Sequence, residues 1–209
     1  MRRLSVYLAF LLLVAVPAPA QQQNTDVVAK VSRIEKAAVA MQDALPRPLE
    51  KGSEVQLGDI VSTGKGARLE LTFNDGTTVQ LGERTQFSVV EFVVEQDGGN
   101  AVMRLMKGAF SMTSGSMMQL AEASMTVETE TATIGIRGTT FWGGTLDESF
   151  EVALLGGKGV YVETKAGTVD LTNVGDGTSV SGKDAAPARP SAWGQGKLDR
   201  AAATVAFSN

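Results

Sequence analysis

The chain has 209 residues, with 23 acidic and 19 basic side chains, a net charge of −4, and neither cysteine nor histidine. Without those two residue types, tetrahedral zinc, copper–thiolate and iron–sulfur sites lack their usual ligands, and Ser-His-Asp and Cys-His catalysis are excluded. A mildly acidic chain without a basic cluster is poorly suited to nucleic acid or an anionic membrane surface, so the composition implies no cofactor, no metal and no nucleic-acid partner, leaving open only carboxylate chemistry and oxygen-ligated calcium.

Residues 1–20 read as a secretory signal peptide. Arg2 and Arg3 give the positive start, Leu4 to Val16 the apolar core, and Ala18-Pro19-Ala20 the small-residue cleavage pattern. The apolar run is shorter than the roughly 20 residues that span a bilayer comfortably, and no cysteine is present for lipid attachment. Cleavage after Ala20 leaves a polar start, Gln21 to Asp26, and no permanent membrane span. An exported chain without disulfides must be held by packing and hydrogen bonds alone.

One domain is assigned to residues 27–182. Arg68 to Phe73 alternates, with Leu69, Leu71 and Phe73 on one face; Asn74-Asp75-Gly76 turns the chain, and Thr78 to Leu81 resumes the alternation. Period-2 runs on either side of an Asp-Gly are the strongest short-range hairpin signal. Similar runs are Phe87 to Glu95, Ala101 to Leu105, Met125 to Thr133, Phe150 to Leu155, Val160 to Thr164 and Thr168 to Asn173. Many short strands with frequent glycine turns predict an all-β domain, built as an elongated β-solenoid-like stack or a twisted β-sandwich. Leu69–Leu81, Met103–Met112 and Val152–Val162 share a strand–Gly–strand cadence that suits either form. Residues 183–209 read as a linker and a short C-terminal tail. The linker carries Ala-Pro-Ala-Arg-Pro-Ser-Ala, and Lys197 to Ala203 favours a short helix. A helix this short leaves docking and fraying equally open.

Two matches to catalytic patterns carry no weight. Ser62-Thr63-Gly64-Lys65 has the spacing of a Ser/Lys pair, but Gly64 and Gly66 argue for a turn where that chemistry needs a helix. Gly177 to Lys183 fits a phosphate loop until Asp184 replaces the required Ser or Thr, and a proline-containing linker follows. The methionines Met103, Met106, Met112, Met117, Met118 and Met125 read first as core filling, with a thioether copper site as a weaker alternative. Met112, Met117 and Met118 are the candidates for an adaptable partner surface, because two adjacent methionines on a half-buried strand cannot both face inward. Arg137, flanked by Ile134, Ile136 and Phe141, is expected to be buried and to satisfy acceptors from a neighbouring rung. Gly138 is expected at a positive φ or a close approach.

These stretches resemble the FecR domain, the extracytoplasmic domain of a bacterial regulator family. The resemblance runs in order through Pro48–Gly52, Leu57–Gly64, Leu71–Thr77, Leu105–Phe110, Ala132–Phe141, Leu155–Val160 and Val174–Gly177. Arg137-Gly138-Thr139 is its most specific element, and Gly58-Asp59 to Gly64 comes next. It implies an all-β, solenoid-like module outside the inner membrane. Full regulators of the family join it through one membrane helix to a cytoplasmic anti-sigma segment and relay a transporter signal, often for iron uptake. Here only a signal peptide is read ahead of the domain, which implies a free-standing exported protein of a Gram-negative envelope, periplasmic or extracellular. Arg137, Gly138, Thr139, Gly58, Asp59, Asp75 and Gly76 are assigned structural roles at turns and corners, with no catalytic residue. The leading expectation is therefore a non-enzymatic module that binds a protein partner in envelope signalling or assembly. The alternative is a β-solenoid binding cell-wall glycan or another polysaccharide, which the scarcity of tryptophan (Trp142 and Trp193) disfavours. An enzyme ranks third.

Overall fold

The computed structural model describes residues 27–208, so the expected signal peptide and Gln21–Asp26 lie outside the described residues. Within them the chain forms β1 (Val27–Glu35), β2 (Ala38–Gln42), β3 (Leu45–Pro48), β4 (Glu54–Gln56), β5 (Ile60–Thr63), β6 (Arg68–Phe73), β7 (Thr78–Leu81), β8 (Gln86–Val94) and β9 (Gly98–Lys107). After these come β10 (Ala109–Thr113), a 3-10 turn (Ser116–Gln119), β11 (Glu122–Glu128), β12 (Thr133–Ile136), β13 (Thr139–Leu146), β14 (Ser149–Gly157), β15 (Val160–Thr164), β16 (Gly167–Leu171), β17 (Asp176–Val180), β18 (Ser191–Ala192) and α1 (Gln195–Ala203).

The strands make two nine-stranded sheets, ordered β18-β17-β14-β13-β10-β7-β6-β1-β4 and β16-β15-β12-β11-β9-β8-β5-β2-β3. Strand numbers rise along both sheets in the same direction, apart from the outermost β4 and β3. The chain therefore advances steadily, as in a solenoid, while its strands pack as a sandwich. All pairings but that of β9 with β11 are antiparallel. The all-β expectation is borne out.

Local chemistry explains the elements. In β6 the burial alternates strictly, and Leu69 pairs with Leu81 and Leu71 with Val79 across the β6–β7 hairpin. Asp75 closes the turn by accepting the Thr77 N–H at 2.8 Å and its hydroxyl at 2.9 Å. The run Met125 to Thr133 is broken in two. Thr129 Oγ1 accepts the N–H of Ala132 at 2.9 Å and that of Thr131 at 3.2 Å, a local turn that competes with the strand. The core lies between the sheets, where Phe87 of β8 packs near Phe110 of β10 at 6.3 Å between ring centroids and Phe110 meets Phe141 edge-on at 5.4 Å. Edges are managed: β3 carries Pro46 and Pro48, while β4 and β18 are only three and two residues long.

The tail is docked. After β18, Trp193 meets Trp142 at 6.2 Å, and Ala201 of α1 and Val205 just beyond it are buried against Trp142 and Ala109. The Trp142 indole N–H donates to Thr204 Oγ1 at 2.9 Å, and Lys197 reaches the buried Glu151 at 2.7 Å. Arg68 donates to the Ala203 and Ala206 carbonyls, satisfying the end of the helix. Beyond it Ser208 bonds Glu35 through its N–H, and Arg33 through its carbonyl. No helix among the described residues is long and apolar enough to cross a membrane.

Candidate functional site

The Arg137-Gly138-Thr139 motif is a crossing point. β12 ends at Ile136, the chain passes to the other sheet, and β13 begins at Thr139. The return crossing, Lys158-Gly159 between β14 and β15, runs beside it. Arg137 N–H donates to Gly159 O at 3.1 Å and Lys158 N–H to Gly138 O at 3.1 Å. Thr139, almost fully buried, donates its hydroxyl to Gly159 O at 2.7 Å and accepts Gly159 N–H at 3.0 Å. The same device recurs at other crossings. Thr85 Oγ1 exchanges both bonds with Ala109 at 3.2 Å, and Thr63 Oγ1 joins Gly82 O at 2.6 Å to Thr85 N–H at 2.9 Å. Gly138 has φ +79°, and a Cβ there would meet nothing closer than 3.9 Å, so backbone conformation and not crowding selects glycine.

Arg137 corrects the sequence reading. Its side chain is half exposed, ion-paired with Asp170 at 2.8 Å and 5.5 Å from the Tyr161 ring centroid. Its apolar neighbours Ile134, Ile136 and Phe141 suggest burial, but the alternation that turns Ile136 inward turns the next residue outward, so the arginine lies outside the core. The buried acceptor is satisfied by Thr139 instead. Gly135, one step earlier, has the opposite reason from Gly138: a Cβ there would overlap the Tyr161 ring of the neighbouring strand.

A second loop meets this corner. Ser114 Oγ accepts Thr139 N–H at 2.8 Å, Gly115 N–H donates to Thr77 Oγ1 at 2.8 Å, and Ser116 N–H donates to Asp75 O at 2.9 Å. Residues 114–116 thus tie the Asp75-Gly76 turn to the Arg137-Gly138-Thr139 corner, two motifs far apart in sequence. The methionine expectation needs correcting here too. Met112 and Met117 are fully buried, and only Met118 is partly exposed. The segment is a 3-10 turn, whose geometry turns Met117 inward while Met118 stays at the surface. Gly58 and Asp59 belong to a separate turn between β4 and β5. The buried Asp59 accepts from Arg47 at 2.7 Å and from Gln56 N–H at 2.8 Å, leaving Oδ1 without a partner among the described residues.

The corner and loop enclose a pocket of about 300 Å³, lined by Thr113, Ser114, Gly115, Met118, Gln119, Gly138, Thr139, Thr140, Gly157 and Lys158. The Thr113 and Thr140 hydroxyls are 3.0 Å apart, so one of them retains an O–H to donate outward. The Lys158 stem runs at van der Waals range over the place where a Gly138 side chain would be. Such a lining binds and orients; it holds no carboxylate for general acid–base work. Carboxyls with shifted acidity lie elsewhere. The Gly66 N–H holds Glu83 below the usual glutamate range, and Arg200 of the tail does the same for Asp147. Of the pocket residues, sequence reasoning singled out Met118, Gly138 and Thr139. Lys158 stood within the Leu155–Val160 resemblance without a role of its own, and Thr113, Ser114 and Gln119 carry no sequence signal, because only the crossing brings them there.

Residues 59–158 match the family described as FecR protein, so the resemblance is borne out. Two crystal structures of a "putative anti-sigma factor" from Parabacteroides distasonis, at 2.50 and 1.65 Å resolution, share the fold. They align with TM-scores of 0.54 and 0.53 and identities of 19% and 20%. In both, the likeness covers 67% of this chain and 62% of the other, less than two thirds of that protein's length. No curated protein is matched.

Proposed function

We propose that this chain is a non-enzymatic FecR-domain binding module, exported by its N-terminal leader to the periplasm, where it acts through a protein partner in envelope signalling or assembly, in a relay of the iron-uptake type. One observation carries the reading: residues 114–116 tie the Asp75-Gly76 turn to the Arg137-Gly138-Thr139 corner, elements remote in sequence, and Ser114, Gly115, Gly138 and Thr139 line a pocket open to solvent. Their own side chains are taken up by hydrogen bonds and an ion pair that hold the crossing, which is the work of a scaffold. Support for signalling comes from the FecR match, and from the description of the structural neighbours as anti-sigma factors. A protein partner is favoured over glycan because Trp142 is buried beneath α1 and Trp193 packs against it, so neither is a free stacking platform.

The test is a photo-crosslinking amino acid at Gln119, on the pocket rim, in cells that produce the full chain. A discrete protein adduct in the envelope fraction is expected, with Gln21 as the mature N-terminus by mass spectrometry. Retention of Met1 on membrane-bound protein would overturn export. Co-sedimentation of the purified protein with cell-wall sacculi, without a protein adduct, would establish the glycan reading in its place.

A further inference from the structure

Five cavities among the described residues differ in the acidic groups that line them. Three of the other four take in Glu130, one of them with Glu163 as well. The fourth is walled by Glu91, Glu95, Asp97 and Glu122. The corner pocket contains one cation, Lys158, and no carboxylate, in a chain whose net charge is negative. The Lys158 ammonium makes no ion pair or hydrogen bond with any described residue, so its charge is not committed to a carboxylate of the chain as those of Arg47, Arg104, Arg137, Lys197 and Arg200 are. Its backbone is fixed by the bond to Gly138 O and by the Thr139 clamp on the next residue, so the stem starts from a rigid crossing. Gly138 N–H also lacks an intramolecular acceptor among the described residues, and one of the Thr113 and Thr140 hydroxyls has a proton to give. Gln119 adds an amide. Met118 supplies the one sizeable apolar surface.

We propose that this pocket receives a carboxylate presented by an extended peptide of the partner, with Lys158 as the counter-charge and the Thr113–Thr140 pair and Gly138 N–H as neutral donors. The inference rests on the protein-binding reading and gives that site its ligand chemistry. Donors of both kinds, charged and neutral, converge without a competing acceptor charge, which is the arrangement that favours an anion over a neutral or cationic group. A cavity of about 300 Å³ lies at the small end of ligand sites, large enough for one terminal residue or one acidic side chain with its neighbour on Met118.

The experiment is a titration followed by backbone amide NMR, using the protein without its leader and three short probes. These are acetyl-Ala-Ala-Ala with a free C-terminus, the same peptide as its C-terminal amide, and acetyl-Ala-Glu-Ala amide. Saturable shifts at Gly115, Gly138 and Lys158 are expected with at least one carboxylate-bearing probe and not with the neutral amide. The responding probe assigns the carboxylate to a chain terminus or an acidic side chain. Lys158→Gln should weaken that binding by roughly tenfold or more, the loss of one charge-assisted contact, while its circular-dichroism melt stays at the wild-type temperature. Equal response to the neutral amide, equal response to inorganic phosphate, no response to any probe, or an unweakened Lys158→Gln each overturns the proposal. Should the Gln119 crosslink to a protein persist in Lys158→Gln while the probes fail, the binding reading stands and the carboxylate assignment falls.

Discussion

Replacing Thr139 with valine isolates the hydroxyl that clamps the two crossings. Valine keeps the size and branching of threonine, so packing is preserved and only the two hydrogen bonds to Gly159 are lost. The two bonded groups fare differently. Gly159 O retains the Arg137 N–H at 3.1 Å, whereas Gly159 N–H has no substitute acceptor among the described residues and is left buried and unpaired. One such orphaned group costs about 1–3 kcal/mol. At roughly 2–4 °C of Tm per kcal/mol for a domain of this size, Thr139→Val should melt on the order of 2–12 °C lower. Thr139→Ser, which keeps the hydroxyl, should recover most of that loss. Arg137→Met is the comparison. Its ion pair with Asp170 is half exposed, so it contributes about 0–1 kcal/mol and the variant should stay within roughly 3 °C of wild type. Thermal melts by circular dichroism and urea midpoints would measure all three. If Thr139→Val melts with wild type, or Arg137→Met loses as much, the hydroxyl clamp is not what holds this corner.

Other substitutions probe other links. Gly135→Ala should displace the Tyr161 ring and lower the melting temperature, and Tyr161→Ala in the same chain should recover part of the loss; equal melts for the single and double variants would contradict the overlap. A chain ended after Ala192 should remain folded but melt earlier, with a red shift of Trp142 emission as its covering helix is removed; an unshifted spectrum would mean that Trp142 is shielded by something else. Glu83, held low by the Gly66 N–H, contributes its full stabilisation at neutral pH and loses it as the pH falls through its lowered value. The stability gap between wild type and Glu83→Gln should therefore close on acidification, and a gap that widens toward acid would reverse the sign of this argument.

Where one face is buried and the turn is short, the sequence spoke clearly. β6, β7 and β15 have the boundaries expected from their alternation, because the Asp75-Gly76 turn and the pairing of Leu71 with Val79 leave one register that buries every apolar side chain. Apolar neighbours in sequence are a weaker guide than alternation. Ile134, Ile136 and Phe141 around Arg137 suggest burial, yet with Ile134 and Ile136 inward the next position faces outward, and the chain leaves the sheet there. Thr129 looked like strand by propensity and is a turn by its side-chain bonds. Of the adjacent pair Met117 and Met118, one has to face outward; which one is set by a 3-10 turn that the sequence does not announce, and Met117 is core while Met118 is at the surface. The pocket was the least legible part. Its walls come from three crossings between sheets, and only the assembled fold puts Lys158 beside Gly138.

The docked tail has a consequence for the order in which the molecule assembles. No strand pair joins residues farther apart in sequence than Ala29 and Phe73, so the sandwich can lengthen one rung at a time, with a bounded loop-closure cost at each step. Ser208 closes on Glu35 and Arg33 across 173 and 175 residues, and it has nowhere to close until β17 and β18 are laid down. The C-terminal segment is thus the last contact to form and the first to open. Its amides should exchange through a partial opening well below the free energy of global unfolding. In that open state the face of Trp142 is bare while the two sheets remain intact, so the protein holds a second surface in reserve whose exposure is set by the docking of residues 193–208 alone.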